Sequence, residues 1–184
     1  FVTGREEVSQ ILETLTRQNA FVTRLSDGKT YRFHHMMKEC AHQAFQTLDK
    51  GKQSFYYDRY GAWYGNQGDY IYALAAYRGS EDFAAMLRVI EKDAGILLSS
   101  LKPEQVLETL DKCPHSVLKE YPLAILVLMR SMFNWKNIPR MLELKEILLT
   151  AIKEHPQMCE EERGNLLGEC DLILSFLMYN DISK

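Results

Sequence analysis

Four groupings of residues in this sequence have types and spacings that could do chemistry. His35, Glu39 and His42 would fall at i, i+4 and i+7 of a helix, share one face and offer a divalent cation two imidazoles and a carboxylate. A solvated polar face accounts for the same spacing equally well, since the apolar stripe Met37, Ala41, Phe45 and Leu48 runs opposite it and no fourth ligand is visible. The adjacent pair His34 and His35 would suit general acid-base work, because imidazole titrates near neutral pH. No nucleophile or carboxylate can be placed beside the pair, and at a strand-to-helix junction its natural task is to bond backbone groups left open in the first helical turn.

Gly28-Lys29-Thr30 reads like the end of a phosphate-binding loop, in which Lys and Thr would meet phosphate and a metal ion. That loop requires glycine at position 23, where the sequence has Thr23, and a helix after it, where a strand pattern follows; a hairpin turn fits instead. The fourth grouping is aromatic: Phe55, Tyr56, Tyr57, Tyr60, Trp63 and Tyr64, followed by Tyr70, Tyr72 and Tyr77. Such rings could stack bases or line a ligand groove, but basic residues do not interleave with them as on a nucleic-acid platform, and packing between helices also explains them. The four cysteines, Cys40, Cys113, Cys159 and Cys170, contain no Cys-x-x-Cys pair, which fits reduced thiols in a cytoplasmic setting. The expectation is a non-enzyme with no catalytic, cofactor-binding or metal-binding residues and no cofactor.

These residues need elements to position them, and composition allows a folded chain. With 184 residues, 46% of them hydrophobic, there is enough apolar material for a sizeable core. A net charge of -3 argues against nucleic acid as a partner of this chain, since phosphate backbones select a basic excess. The longest apolar run, Tyr121 to Phe133, is interrupted by Arg130 and falls short of the roughly 20 residues that a membrane span needs, so no membrane is expected. The chain opens on Phe1, without a methionine or the residue order of a signal peptide, and reads as a piece of a longer protein.

Along the chain, Thr3 and Glu6 have capping-box spacing ahead of the stripe Val8, Ile11, Leu12 and Leu15. Phe21 to Leu25 and Thr30 to Phe33 flank Asp27-Gly28 and predict the one β-hairpin, with Asp-Gly at the tight turn. A helix follows from His35, with Gly51 as its stop. Beyond it the pattern predicts about eight helices, punctuated at Gly68-Asp69, Gly79-Ser80, Lys102-Pro103, Cys113-Pro114, Lys136-Asn137, His155-Pro156 and Asn180-Asp181. Apolar stripes appear at Ile138, Met141, Leu142, Leu148, Leu149 and Ile152, and at Leu166, Cys170, Ile173 and Leu177. The Tyr121 to Phe133 helix is apolar nearly all round and must be central.

The segment Trp63-Tyr64-Gly65-Asn66-Gln67-Gly68-Asp69-Tyr70-Ile71-Tyr72-Ala73-Leu74-Ala75-Ala76-Tyr77 resembles the middle of a tetratricopeptide repeat. Gly68 permits the turn, Ala73 a close backbone approach, and Tyr64, Tyr70 and Tyr77 fill the space around it. Upstream, Tyr31-Arg32-Phe33-His34-His35-Met36-Met37, preceded by the helix from Thr3-Gly4-Arg5 and the Phe21 to Leu25 strand, resembles the large LuxR-type ATP-dependent transcriptional regulators of the maltose-regulon activator kind. That resemblance implies a mainly α fold. Residues 1–51 would be the C-terminal part of a winged-helix domain, a helix, hairpin and helix. Residues 52–184 would be a truncated tetratricopeptide-like superhelix of antiparallel helical hairpins. The family's ATPase core and DNA-reading helix-turn-helix match no residues here.

The function the resemblance implies is a non-catalytic signal-relay and protein-interaction segment. Its partners would be the adjacent domains of the parent regulator and an inducer or protein on the helical domain. Tyr31, Phe33, His34 and His35 would form the inter-domain junction, and Trp63, Gly68 and Ala73 the first hairpin. Leu167, Leu174 and Met178 would form an exposed apolar patch for a following repeat. A free-standing helical-repeat scaffold binding a peptide or protein partner is the alternative.

Overall fold

The computed structural model describes residues 6–155 and 157–182. The first helix, α1 (Val8–Arg17), opens at Glu7, which makes no side-chain cap bond; Thr3 of the expected capping box lies outside the described residues. Strands β1 (Val22–Arg24) and β2 (Tyr31–Phe33) pair antiparallel, with Val22 opposite Phe33 and Arg24 opposite Tyr31. The loop between them is longer than a two-residue Asp-Gly turn. The Gly28 amide donates to the Leu25 carbonyl at 3.0 Å, Gly28 takes φ +66°, and the Asp27 carboxylate accepts from the Lys29 and Thr30 amides at 3.0 and 2.9 Å. The Thr30 hydroxyl also donates to Asp27 and is the main reason its carboxyl lies below the usual range. The donors of the phosphate-loop lookalike thus turn inward on Asp27.

Helix α2 (His35–Gln46) leads into α3 (Lys50–Gln67), which the Asp49 carboxylate caps by accepting from the Lys52 amide at 2.9 Å. Gly51 therefore lies inside the first turn of α3 and is not the stop of α2; the side chain of Asp49, which favours caps, makes the break. Gly68 ends α3 at φ +79°, as the turn to α4 (Tyr70–Ser80) requires. Gly79-Ser80 is not a break either. The helix runs through it and ends at Glu81, φ +59°, whose neighbour Asp82 caps α5 (Phe83–Asp93) through the Ala85 amide at 2.9 Å.

Gly79 has a different use. A Cβ there would stand 2.7 Å from the Tyr57 ring of α3, and a Cβ at Gly61 of α3 would stand 2.6 Å from the Tyr77 ring of α4. Two glycines, one on each helix, accept a ring from the other, so the hairpin closes at a separation that no larger residue allows. Ala73, fully buried, continues the same seam.

A 3₁₀ turn (Leu97–Ser100) then leads to α6 (Pro103–Lys112), α7 (His115–Lys119), α8 (Pro122–Asn134), α9 (Ile138–Glu154) and α10 (Glu160–Ile182). Eight α-helices therefore follow from Lys50 among the described residues, in line with the sequence. The backbone of Asn180 and Asp181 is helical, correcting the expected turn; Asn and Asp cost a helix only tenths of a kcal/mol relative to neighbours of similar rank. Pro156, Ser183 and Lys184 lie outside the described residues.

Helix α8 is central, as its composition demands, with Ala124 to Met129, Ser131 and Met132 buried between α5, α7, α9 and α10. From α9 it receives Met141, Leu144, Ile147 and Leu148; Leu142, expected on that face, is exposed and Leu144 is buried in its place. From α10 it receives Leu166, Cys170 and Ile173. Ion pairs pin the outer turns: Arg140 to Asp111 at 3.0 Å, Lys119 to Glu154 at 2.9 Å and Arg130 to Glu169 at 3.2 Å. Burial pushes the Cys113 thiol up to about 11 and raises that of Cys170, so both stay protonated and pack as small hydrophobes. No helix among the described residues is long and apolar enough to cross a membrane.

Two predictions arise from this packing. Gly61→Ala forces a methyl against the Tyr77 ring and should cost about 1–3 kcal/mol, whereas Gly164→Ala on α10, with nothing within 4 Å, should gain about 0.5–1 kcal/mol. Chemical denaturation of both variants checks the pair, and an unaltered Gly61→Ala would mean that the seam is loose. The second concerns Glu91, whose carboxylate accepts from the Ala124 amide at the start of α8 at 3.3 Å. Burial raises its carboxyl above the ordinary 4.5, more than the Ala124 bond and Arg88 lower it. For an acid raised in the fold, stability is full below the unfolded value and is lost as pH climbs through the folded one. Glu91→Gln keeps an acceptor for Ala124 and has no charge to desolvate. Its melting temperature should match wild type near pH 4 and exceed it at pH 7; melts across that range that stay parallel would refute the assignment.

Candidate functional site: the groove between the hairpin unit and the helical stack

A joint between α2 and α3 connects the N-terminal unit to the helical stack. Helix α2 starts with the His34 ring accepting from the Met36 amide at 3.3 Å, the capping task expected of the histidine pair, while His35 lies 3.8 Å from Glu39 on the solvated face. At its other end the Gln53 side-chain amide of α3 reaches back to the carbonyls of Phe45, Gln46 and Leu48 at 3.2, 3.3 and 2.9 Å. It satisfies carbonyls that a helix end leaves open. Beside this clasp, the Phe45 ring meets Tyr57 edge-on at 5.2 Å and Tyr56 at 6.4 Å. Tyr57 is the same ring that seats on Gly79, so α2, α3 and α4 connect through one side chain.

Beside this joint the two parts line a groove of about 710 Å³. The N-terminal unit supplies Leu15, Phe33 and the stripe Met37, Ala41 and Phe45. Lys38 and His42 stand on the same wall. The opposite wall is tyrosine: Tyr60 stacks on Tyr64 at 5.8 Å and Tyr64 on Tyr72 at 5.0 Å, both near 30° between planes. Partial burial, then Tyr60 and Tyr72, raise the Tyr64 phenol above its ordinary value. The stripe expected to be core on α2 is thus a groove wall. No residue of α1 or α2 is buried, and among the described hydrophobic residues before Ala73 only Val22 is.

Of the site candidates, Tyr31 and Phe33 are half-buried on β2; only Phe33 reaches the groove. His34 caps α2. Trp63 is on the exposed side of α3, edge-on to Tyr64 at 4.9 Å, while Gly68 and Ala73 form the turn and seam already described. Leu167 and Leu174 are half-buried against the core instead of exposed, because α10 lies flush on α8; Met178, 72% exposed, does stand out, with Leu172 and Phe176. Sequence reasoning did not single out Gln53, whose role depends on where the end of α2 falls, nor Gly61 and Gly79 as ring seats. Among the described residues no group of three or more His, Cys, Asp or Glu could hold a metal ion.

Replacing Gln53 with Ala should free the last turn of α2 and leave the stack intact. Amide exchange should speed about tenfold in residues 43–48 with no change in α8, for a lost contribution of about 1–2 kcal/mol. Uniform acceleration throughout would mean that the clasp is not local.

The family model described as MalT winged helix domain matches residues 1–53. No curated protein and no solved structure matches the chain.

Proposed function

We propose that this chain is a non-catalytic relay segment of a LuxR-type, ATP-dependent transcriptional regulator. It would connect the winged-helix domain to a tetratricopeptide-like helical domain and carry a signal between them by repacking. The observation behind this reading is that the matched region ends at residue 53, inside α3, which starts at Lys50 and continues to Gln67. One 18-residue helix, about 27 Å long at 1.5 Å per residue, belongs to both parts, so a tilt of the winged-helix unit moves the far end of α3 and with it the seam to α4. The turn at Gly68 and the close approach at Ala73 support the tetratricopeptide-like reading of that hairpin. Its partners in this role are the neighbouring domains of the parent protein, in the cytoplasm.

The chain itself should bind neither nucleotide nor operator DNA. Calorimetric titration with Mg·ATP and a gel shift with promoter DNA should both be blank, and saturable micromolar binding of either would defeat this reading. Sequencing the flanking gene decides between regulator and free-standing scaffold. A phosphate-binding loop upstream and a DNA-reading helix-turn-helix downstream are expected, and their absence would favour the scaffold.

A further inference from the structure

The groove between α2 and the α3–α4 hairpin has the size, walls and charge of a small-molecule site. Its volume of about 710 Å³ falls within the range of roughly 300–1,000 Å³ in which proteins enclose ligands of drug size. The tyrosine wall presents flat faces: Tyr72 is 61% exposed and Tyr60 is likewise open, although both are large rings that would gain by being covered. Neither ring belongs to the buried core or its packed fringe, so their exposure is not needed to hold the fold.

Charge narrows the ligand. The chain carries 25 acidic residues, yet none of those described lines this groove. Its ionisable nitrogen-bearing side chains, Lys38 and His42, sit one turn apart on α2, both exposed, and neither is ion-paired among the described residues. An anionic group placed there would meet an ammonium and an imidazole N–H. Among the described residues the remaining polar side chains of the lining are tyrosines, whose rings offer faces for stacking and whose hydroxyls can donate or accept.

We propose that this groove binds a small planar aromatic carboxylate of two or more rings, its rings against Tyr60, Tyr64 and Tyr72 and its carboxylate between Lys38 and His42. The site stands independently of the relay, since binding requires only the groove. A ligand here would touch α2 and the α3–α4 hairpin together and would favour the arrangement that holds both walls at the right separation.

The test is calorimetric titration of the whole 184-residue chain with 2-naphthylacetate and with 2-naphthylethanol, its neutral counterpart. Saturable binding of the acid below millimolar concentration is expected, with the alcohol about tenfold weaker, the worth of one charge-assisted hydrogen bond. Lys38→Gln should weaken the acid about tenfold and leave the alcohol unchanged. Tyr72→Ala, at an exposed position, should keep the circular dichroism spectrum and weaken both ligands about tenfold. Absence of saturable binding of the acid, equal affinity for acid and alcohol, or an unaffected Tyr72→Ala variant would each overturn the proposal. So would saturation by a neutral oligosaccharide in place of the acid. Failure of any of these leaves the relay test, which reads flanking sequence and nucleotide binding, unaffected.

Discussion

The reciprocal seating of Tyr77 on Gly61 and Tyr57 on Gly79 is the contact from which the remaining arrangement proceeds. It sets the separation of α3 and α4, and because a ring lies flat on a glycine only when the helix axes come close, it also sets their rotation. That rotation turns Ala73 and Leu74 inward to the core and Tyr60 and Tyr72 outward, stacked on a half-buried Tyr64 that packs against the core's edge. Tyr57 then has a free edge, and Phe45 packs on it. The position of α2 against the stack follows from that one ring and from the Gln53 clasp beside it.

Stability is distributed very unevenly along this chain. The helices from α4 onward share a continuous buried cluster centred on α8, whereas the N-terminal unit contributes none of its described residues to it. A unit with one buried hydrophobic residue among those described, joined by a side-chain amide and an aromatic edge contact, opens at low cost compared with the unfolding of the core. The groove occurs where this difference is greatest. It is a gap between a rigid wall and a weakly held one, the kind of boundary at which a ligand or a neighbouring domain shifts a population without disturbing a core.

The same boundary gives meaning to residues with no role in either unit alone. Met37 and Ala41 repeat at helical spacing as a core stripe would, but Ala41 is exposed and Met37 only half-buried, both on the groove wall. Lys38 and His42 are ordinary solvated side chains on α2 until the tyrosine row stands opposite. The polar face that carries His35 and Glu39 points away from the groove and holds only a loose contact of 3.8 Å.

Much was legible in the order of residues. The hairpin, the helical character, the central place of the Tyr121 to Phe133 segment, the turn at Gly68 and the inward stripe Leu166, Cys170 and Ile173 are local matters of periodicity, composition and backbone freedom. Misreadings clustered where one residue type serves two ends. Gly51 and Gly79 look like helix stops, because glycine stops helices, but one sits in a first turn behind the Asp49 cap and the other makes room for a ring from another helix. Asn180 and Asp181 look like a turn, yet the backbone there continues α10. The sequence by itself determined which segments are helices and which faces are apolar, since both follow from near neighbours along the chain. Only the tertiary structure decided which apolar faces are covered, that the tyrosines stand in a row, and that Gln53 closes the joint, because each depends on the distance between segments far apart along the chain.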